Sequence, residues 1–386
     1  MSKATGQREK LKSLYAKRDD RFQAPGRWSK LPAFWFILFL SYRCTRRCDY
    51  CYSFNQMGEA WPREMSDETF ARLLDWIPEV WRLNDVKVNY VGFLGGEPLL
   101  RTDRVRQVMA SVYAKTDGMQ GALTTNADLV DSVRWEDLEH IQWMTTSVTD
   151  IDIDELARRM RVIKERSNVL GQTIAVTLDD RNLERLPDIT RFGIENGYRL
   201  RYQKNIFKGL DLDYQARILK EYHKLCDMLE RYAVSGHDVH TTFLLDTLIP
   251  MWDLDESPYP CGKRLAVVFP DGSVGTCIRD HACKGGTIFD PEPLRAIQCE
   301  KFHYDLTRAD TDPECLVCDC KNACQGGCPH DKMLLRGSRA GKSLACDMHR
   351  QIIPRLRHLE ELKQRSAGSA SGAGPAVHDA AGESQA

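Results

Sequence analysis

The chain has 386 residues, 42% of them apolar, enough for one large α/β unit with an appendage or for two to three domains. Its 54 Lys and Arg balance 55 Asp and Glu, which gives no argument for a nucleic-acid partner, and its longest apolar run, Leu31 to Leu40 broken by Pro32, is far short of the ~20 residues a membrane span needs. The polar N-terminus carries no secretory signal, so a cytoplasmic location is expected, where the 14 cysteines read as metal ligands rather than disulfides.

Residues 1–33 form a basic extension (Arg8, Lys10, Lys12, Lys17, Arg18, Arg21, Arg27, Lys30), read as a solvated helix and arm. Residues 34–41 are aromatic and β-branched and predict a buried strand. Ser66 opens an amphipathic helix to about Arg82, and Val86 to Leu94 is a second strand ending at Gly95-Gly96. Thr102 is expected to cap a helix to about Lys115. Short strands follow at Gly121 to Thr125 and Ile141 to Val148, then a helix from Asp152 to Arg166 and a strand from Thr173 to Leu178. A helix from Leu183 to Asn196 stops at Gly197, a residue suited to a left-handed cap. Tyr198 to Gln203 is a sixth strand and Tyr214 to Ala233 a long helix.

This alternation over residues 34–235 predicts a parallel sheet with covering helices, curled by right-handed crossovers into a partial (β/α)6, TIM-like barrel. Chemistry in such folds gathers at the C-terminal ends of the strands. Residues 236–347 change character: ten of the 14 cysteines lie in residues 256–347, among many turn residues and little periodicity, so metal is expected to hold this cysteine-rich region together. A C-terminal helix is expected at residues 348–365 and a disordered tail at residues 366–386, which are rich in Ala, Gly and Ser.

Cys44, Cys48 and Cys51 carry the chemistry. Their C-x3-C-x2-C spacing follows the first strand directly, and three thiolates on one loop suit three corners of a four-iron four-sulfur cluster. Cluster iron normally takes four thiolates, so a three-cysteine loop leaves one iron open. A zinc knuckle is the plain alternative, and no His or fourth Cys stands nearby to complete one. With Tyr50 before the third Cys and Gly95-Gly96-Glu97-Pro98 after the second strand, the sequence resembles the radical S-adenosylmethionine (SAM) enzymes over about residues 34–235. The resemblance implies that the open iron chelates SAM and that a reduced cluster cleaves it to a 5′-deoxyadenosyl radical, which abstracts hydrogen. It assigns Gly95, Gly96 and Glu97 to the methionyl ammonium, and Thr125, Asn126 and Ser147 to the ribose or carboxylate. Turn caps explain those last three nearly as well. Tyr50 and Tyr52 join the SAM group, with aromatic packing as the alternative for Tyr52.

A second set is Cys261, Gly272, Cys277, then Cys315-x2-Cys318-x5-Cys324-x3-Cys328, and Cys346. That register resembles the SPASM domain, an extension of radical SAM enzymes with auxiliary iron–sulfur clusters. Carried over by position, Cys261, Cys277 and Cys328 would hold a first auxiliary cluster, and Cys315, Cys318, Cys324 and Cys346 a second. Two zinc sites are the alternative. Some relatives have a further Cys shortly before the first, and here that stretch, Asp253 to Pro260, has none. Cys283, Cys299 and Cys320 are nearby candidates, and Cys226 reads as a buried small hydrophobe.

The resemblance implies an oxidoreductase acting on a ribosomally synthesised precursor peptide, leading to oxidative modification or crosslinking. The residues before the first strand are too few for an independent leader-binding domain, so a separate leader-binding partner is expected, with flavodoxin or ferredoxin as electron donor. The alternatives are a formylglycine-forming oxidase like the anaerobic sulfatase maturases, which Gly326-Gly-Cys-Pro-His also resembles, and a small-molecule radical enzyme. The sulfatase maturases place an Asp base after the equivalent of Cys277, where this chain has Ile278 and Arg279. Asp280 and His281 are the candidate acid–base groups, with surface polarity as the plain reading.

Overall fold

The computed structural model describes residues 33–51, 53–54, 62–83, 88–116, 119–148, 152–205, 211–237, 239, 241–244, 248–250, 265–278, 284–293, 313–324 and 346–370. Six parallel strands run through it: β1 (Ala33–Phe39), β2 (Val88–Leu94), β3 (Met119–Thr125), β4 (Ile141–Val148), β5 (Gly171–Leu178) and β6 (Arg199–Lys204), hydrogen-bonded in chain order. The covering helices are α1 (Asp67–Leu83), α2 (Thr102–Lys115), α3 (Ile153–Arg166), α4 (Leu186–Glu195) and α5 (Leu212–Val234). As the sequence suggests, no α-helix links β3 to β4; a single 3₁₀ turn at Trp135–Leu138 does so. Asp152 caps α3 by accepting from the Glu155 amide, and Asp211 caps α5 by accepting from that of Tyr214. Gly197 ends α4 in the left-handed region, at φ +70°.

Alternation along the strands separates two faces. Phe34, Phe36 and Leu38 of β1, Val91 and Phe93 of β2 and Leu123 of β3 meet Phe70, Leu73, Trp76 and Val105 from α1 and α2. A second apolar layer joins Ile174, Val176, Leu200 and Tyr202 to α4 and α5 through Ile189, Ile218, Tyr222 and Leu229. Each fully buried side chain of this kind contributes about 1.5–3 kcal/mol.

The opposite face is graded. At the N-terminal ends of the strands it is filled: Trp35 stacks on Tyr90 at 4.5 Å, and Trp143 donates to Gln120 at 3.0 Å beneath the Arg199 guanidinium, 4.5 Å from the ring. Towards the C-terminal ends the same face carries the small residues Gly92, Ala122, Thr124, Thr145, Ser147 and Ala175 on β2 to β5, with Arg201 and Gln203 beside them on β6.

The cysteine-rich region departs from its expected irregularity. β7 (Thr241–Leu244) pairs parallel to β6 and is followed by the antiparallel β8 (Leu248–Pro250). At the other edge β9 (Leu265–Val268) pairs parallel to β1, with β10 (Ser273–Gly275) and β11 (Lys284–Thr287) beyond it. Among the described residues the sheet is thus eleven-stranded and open, β11-β10-β9-β1-β2-β3-β4-β5-β6-β7-β8. An open barrel has two edges with unpaired backbone groups, and these short strands cover them. Leu265, Val267 and Phe269 also bury Ile37 and Phe39 on the second face of β1.

Two short helices, α6 (Pro313–Leu316) and α7 (Lys321–Cys324), precede α8 (Cys346–Ala370). α8 runs five residues beyond residue 365, into the stretch expected to be tail. Ala and Ser extend a helix at little cost once a packed segment has nucleated it. Met348, Ile352, Ile353, Leu356 and Leu359 bury it against the α5 layer. Arg355 clamps it there, donating to Glu230 at 2.9 Å and Asp227 at 2.6 Å. Among the described residues no helix is long and apolar enough to cross a membrane.

Candidate active site at the strand ends

Cys44, Cys48 and Cys51 leave the C-terminal end of β1 on a loop whose base is pinned. Tyr42 N donates to Arg63 O at 2.7 Å, and Met65 N to Leu40 O at 3.0 Å, so the returning chain pairs with the outgoing one. Within the loop Cys51 N bonds Cys48 O at 3.1 Å. The sulfurs already receive donors: Arg46 N points at Cys44 Sγ at 3.4 Å and Phe54 N at Cys51 Sγ at 3.4 Å. Burial pushes the Cys44 and Cys51 thiols up, and the neighbouring loop cysteines further disfavour the ionisation of these two.

The glycines after β2 press against this base. Gly96 N donates to Ser41 O at 2.9 Å and Glu97 N to Arg43 O at 2.7 Å. A Cβ on Gly96 would lie 1.9 Å from Arg43 O, and Gly95, at φ +126°, would place one 2.4 Å from Ser41 O. Both positions demand glycine because another backbone runs alongside.

Glu97, assigned by the resemblance to the methionyl ammonium, follows these glycines. Its carboxylate is 1% exposed and turned inward. Oε1 accepts from Leu99 N at 3.0 Å and Thr125 Oγ1 at 2.7 Å, and Oε2 from Asn126 N at 2.8 Å. Burial raises its pKa, against these three donors. Glu97 therefore ties β2 to β3. Thr125 is likewise internal, its hydroxyl also accepting from Ala127 N at 2.8 Å. Asn126 faces the cysteines: its Nδ2 donates to Thr45 Oγ1 at 2.9 Å and approaches Cys44 Sγ at 3.7 Å. Ala127 takes φ +59°, a left-handed conformation costing about 1–2 kcal/mol for an L-residue, and this turn aims the Asn126 amide.

Asp128, which the sequence reading passed over, closes the arrangement. It accepts from Thr45 Oγ1 at 3.0 Å, Arg46 Nε at 2.7 Å and Arg159 of α3 at 2.5 Å. These donors hold its carboxyl well below the usual carboxylate range, at about 2. Arg159 also bonds Asn126 O at 3.1 Å and Glu155 at 2.6 Å. Across the site, Arg181 after β5 bonds Asp49 at 2.9 Å and lies 5.8 Å from the Tyr50 ring. Ser147 is on the small-residue face, in register with Ala175 and Arg201. Tyr52, Asp280 and His281 lie outside the described residues.

The second cysteine set is partly described. Cys318 and Cys324 both disfavour ionisation of Cys346, whose thiol burial pushes up to about 11, so the three stand close together, and Cys318 N bonds Cys315 O at 3.2 Å. Cys277 is buried just after β10. Cys261 and Cys328 lie outside the described residues, so the first auxiliary set is not assembled among them. Cys320 is buried in the apolar layer between α5 and α8, and Cys226 is a buried residue of α5 whose thiol burial drives to about 12. Among the described residues no three Cys, His, Asp or Glu side chains are gathered as a single-ion site. The donor set fits an iron–sulfur cluster: soft sulfur ligands on one loop, with N–H groups aimed at the sulfurs.

The radical SAM superfamily model matches residues 38–179. A PqqA peptide cyclase of Xanthomonas euvesicatoria pv. vesicatoria is 24% identical over 344 residues, covering 82% of this chain and 89% of that protein. A PqqA peptide cyclase of Gluconobacter oxydans is 25% identical over 340 residues, with 80% and 89% covered. The solved structure of native anSMEcpe with bound AdoMet and Kp18Cys peptide superposes with a TM-score of 0.66 at 16% identity, over 87% of this chain and 100% of that one, which shows a shared fold. The matched segment starts at the end of β1 and runs past β5, spanning the cysteine loop, the glycine turn and the Asp128 anchor. Over residues 38–179 this chain is therefore similar to the radical SAM superfamily.

Proposed function

We propose that this chain is a radical SAM peptide maturase that oxidatively modifies or crosslinks a ribosomally made precursor. The observation that carries the reading is the pinned three-cysteine loop at the open end of the sheet, in a chain aligned over 82% of its length with peptide cyclases. When bound, cluster and SAM supply a one-electron cleavage that delivers a 5′-deoxyadenosyl radical to a substrate C–H bond. Cys44, Cys48 and Cys51 hold the iron. The backbone at Gly95 and Gly96 faces the ammonium of SAM, since the Glu97 side chain is engaged elsewhere. Tyr50 and Ser147 line the nucleotide side. The small residues on the inner face of β2 to β5 line the space proposed for the peptide. Cys315, Cys318, Cys324 and Cys346 hold an auxiliary cluster. A separate leader-binding protein, a flavodoxin or ferredoxin donor and a cytoplasmic setting complete the proposal.

A crosslink is favoured over formylglycine formation because the residue after Cys277 is Ile278, packed against the apolar cluster of Phe39, Tyr42 and Leu265. That position offers no base. The test is anaerobic incubation of reduced enzyme with SAM and any short peptide found encoded next to its gene. The expected result is 5′-deoxyadenosine plus a peptide lighter by two hydrogens that fails to fragment between the joined residues. An aldehyde trapped by a hydrazine would overturn the crosslinking reading.

Asp128 supplies a second expectation. Its charge-assisted bonds are each worth about 1.5–3 kcal/mol, and they join the cysteine loop to β3 and α3. Asp128→Ala should lower SAM-cleavage turnover about a hundredfold through a displaced loop. Asp128→Glu should recover part of it. Because the folded-state pKa lies below the unfolded one, the stability this carboxylate gives is complete above pH ~4 and is lost as pH falls towards about 2. The acid limb of the unfolding curve of Asp128→Asn should therefore flatten in that window. Unchanged turnover in Asp128→Ala would remove its positioning role.

A further inference from the structure

The first turn of α8 brings a histidine onto the sulfur of the second cysteine set. Cys346 opens the helix and His349 follows three residues later on the same face. His349 is 1% exposed, and its Nδ1 is 3.0 Å from Cys324 Sγ. Its main-chain oxygen meets the Cys320 thiol at 3.7 Å, which fixes the backbone behind the ring. The helix cannot slide, because Arg355 is bonded to both Asp227 and Glu230 and the apolar side of α8 is buried. Arg350, the next residue, hydrogen-bonds Cys318 and pairs with Glu314 at 3.7 Å.

A metal-bound thiolate has no proton and can only accept. The His349 ring must then carry its hydrogen on Nδ1, so the contact is an N–H···S bond. Hydrogen bonds to ligand sulfur stabilise the more electron-rich, reduced state of a cluster. We propose that His349 is a positioning residue that donates to the Cys324 ligand and raises the reduction potential of the auxiliary cluster held by Cys315, Cys318, Cys324 and Cys346. This rests on the assignment of that cluster under the proposed function.

The test is a redox titration of the anaerobic holoprotein followed by electron paramagnetic resonance. His349→Leu should lower the reduced-to-oxidised ratio of this cluster at fixed potential about tenfold, which for one electron is a downward shift of about 59 mV. His349→Asn, whose Nδ2 occupies nearly the place of Nδ1, should recover most of it with the same iron content. If His349→Leu keeps its iron and its potential, or if Leu and Asn shift the potential equally, the proposal fails while the cluster assignment stands. Cys324→Ala separates the two layers: full retention of auxiliary iron in that variant overturns both. Against poor folding of the Leu variant, wild-type protein labelled with 15N-histidine should show a weak hyperfine coupling to this cluster, and its absence also overturns the proposal.

Discussion

Replacing Cys44, Cys48 and Cys51 together by Ala is expected to abolish 5′-deoxyadenosine release while leaving the protein folded. The two outcomes separate because the loop is held by groups other than its sulfurs. Its base is closed by the backbone bonds of Tyr42 with Arg63 and of Met65 with Leu40, and its middle by Arg46 and Thr45 on Asp128. None of those is a thiol. The apolar layers under β1 contain no loop cysteine either. Circular dichroism and the melting temperature of the apo-protein should therefore change little. Iron should fall by about four atoms per chain, with the auxiliary iron retained. A triple variant that still cleaved SAM would remove the cysteine loop from the chemistry and with it the proposed activity.

The parts of this site visible in the sequence are those whose chemistry is local. Three cysteines at fixed spacing announce a cluster loop wherever they are folded, and two glycines after an apolar strand announce a tight approach. The six parallel strands were legible because strand-length runs recur along the chain and all but β3 are followed by a periodic helix. Residues whose role depends on a distant partner were not. Asp128 looks like any turn acid until β1 and α3 place Arg46 and Arg159 on it, from positions 82 and 31 residues away. The resemblance assigned Glu97 to the methionyl ammonium together with Gly95 and Gly96; only the fold shows Thr125 and the Asn126 amide bonded to its carboxylate. A left-handed Ala127 carries no signal in composition at all. The edge strands β7 to β11 are three or four residues long, too short for alternation to register, and exist because an open sheet has edges to cover. His349 is hidden in the same way: the i,i+3 spacing from Cys346 was readable, but the sulfur it meets belongs to α7.

The largest effect expected from a single added methyl group is at Gly96. In Gly96→Ala the new Cβ would stand 1.9 Å from Arg43 O, 2.4 Å from Arg43 C and 2.6 Å from Tyr42 C, all backbone atoms. No side-chain rotation relieves such a contact. The opposing peptide is also fixed, since Arg43 O accepts from Glu97 N at 2.7 Å and Arg43 N donates to Ser41 Oγ at 2.9 Å. Relief must come from moving residue 43, and the next residue is the first cysteine. A displacement of about 1 Å in a catalytic group costs on the order of a hundredfold in rate. Gly96→Ala should thus lose at least that much SAM cleavage and bind less iron at the cysteine loop, with the auxiliary iron unchanged. Gly197→Ala is the matched control. Gly197 has φ +70° and nothing within 4 Å of its would-be Cβ, so the methyl group meets backbone strain without a clash. That variant should be about 1–2 kcal/mol less stable in urea and keep full iron and full turnover. If Gly96→Ala matched Gly197→Ala in iron and rate, close packing of the glycine turn on the cysteine loop would not be what positions the first cysteine.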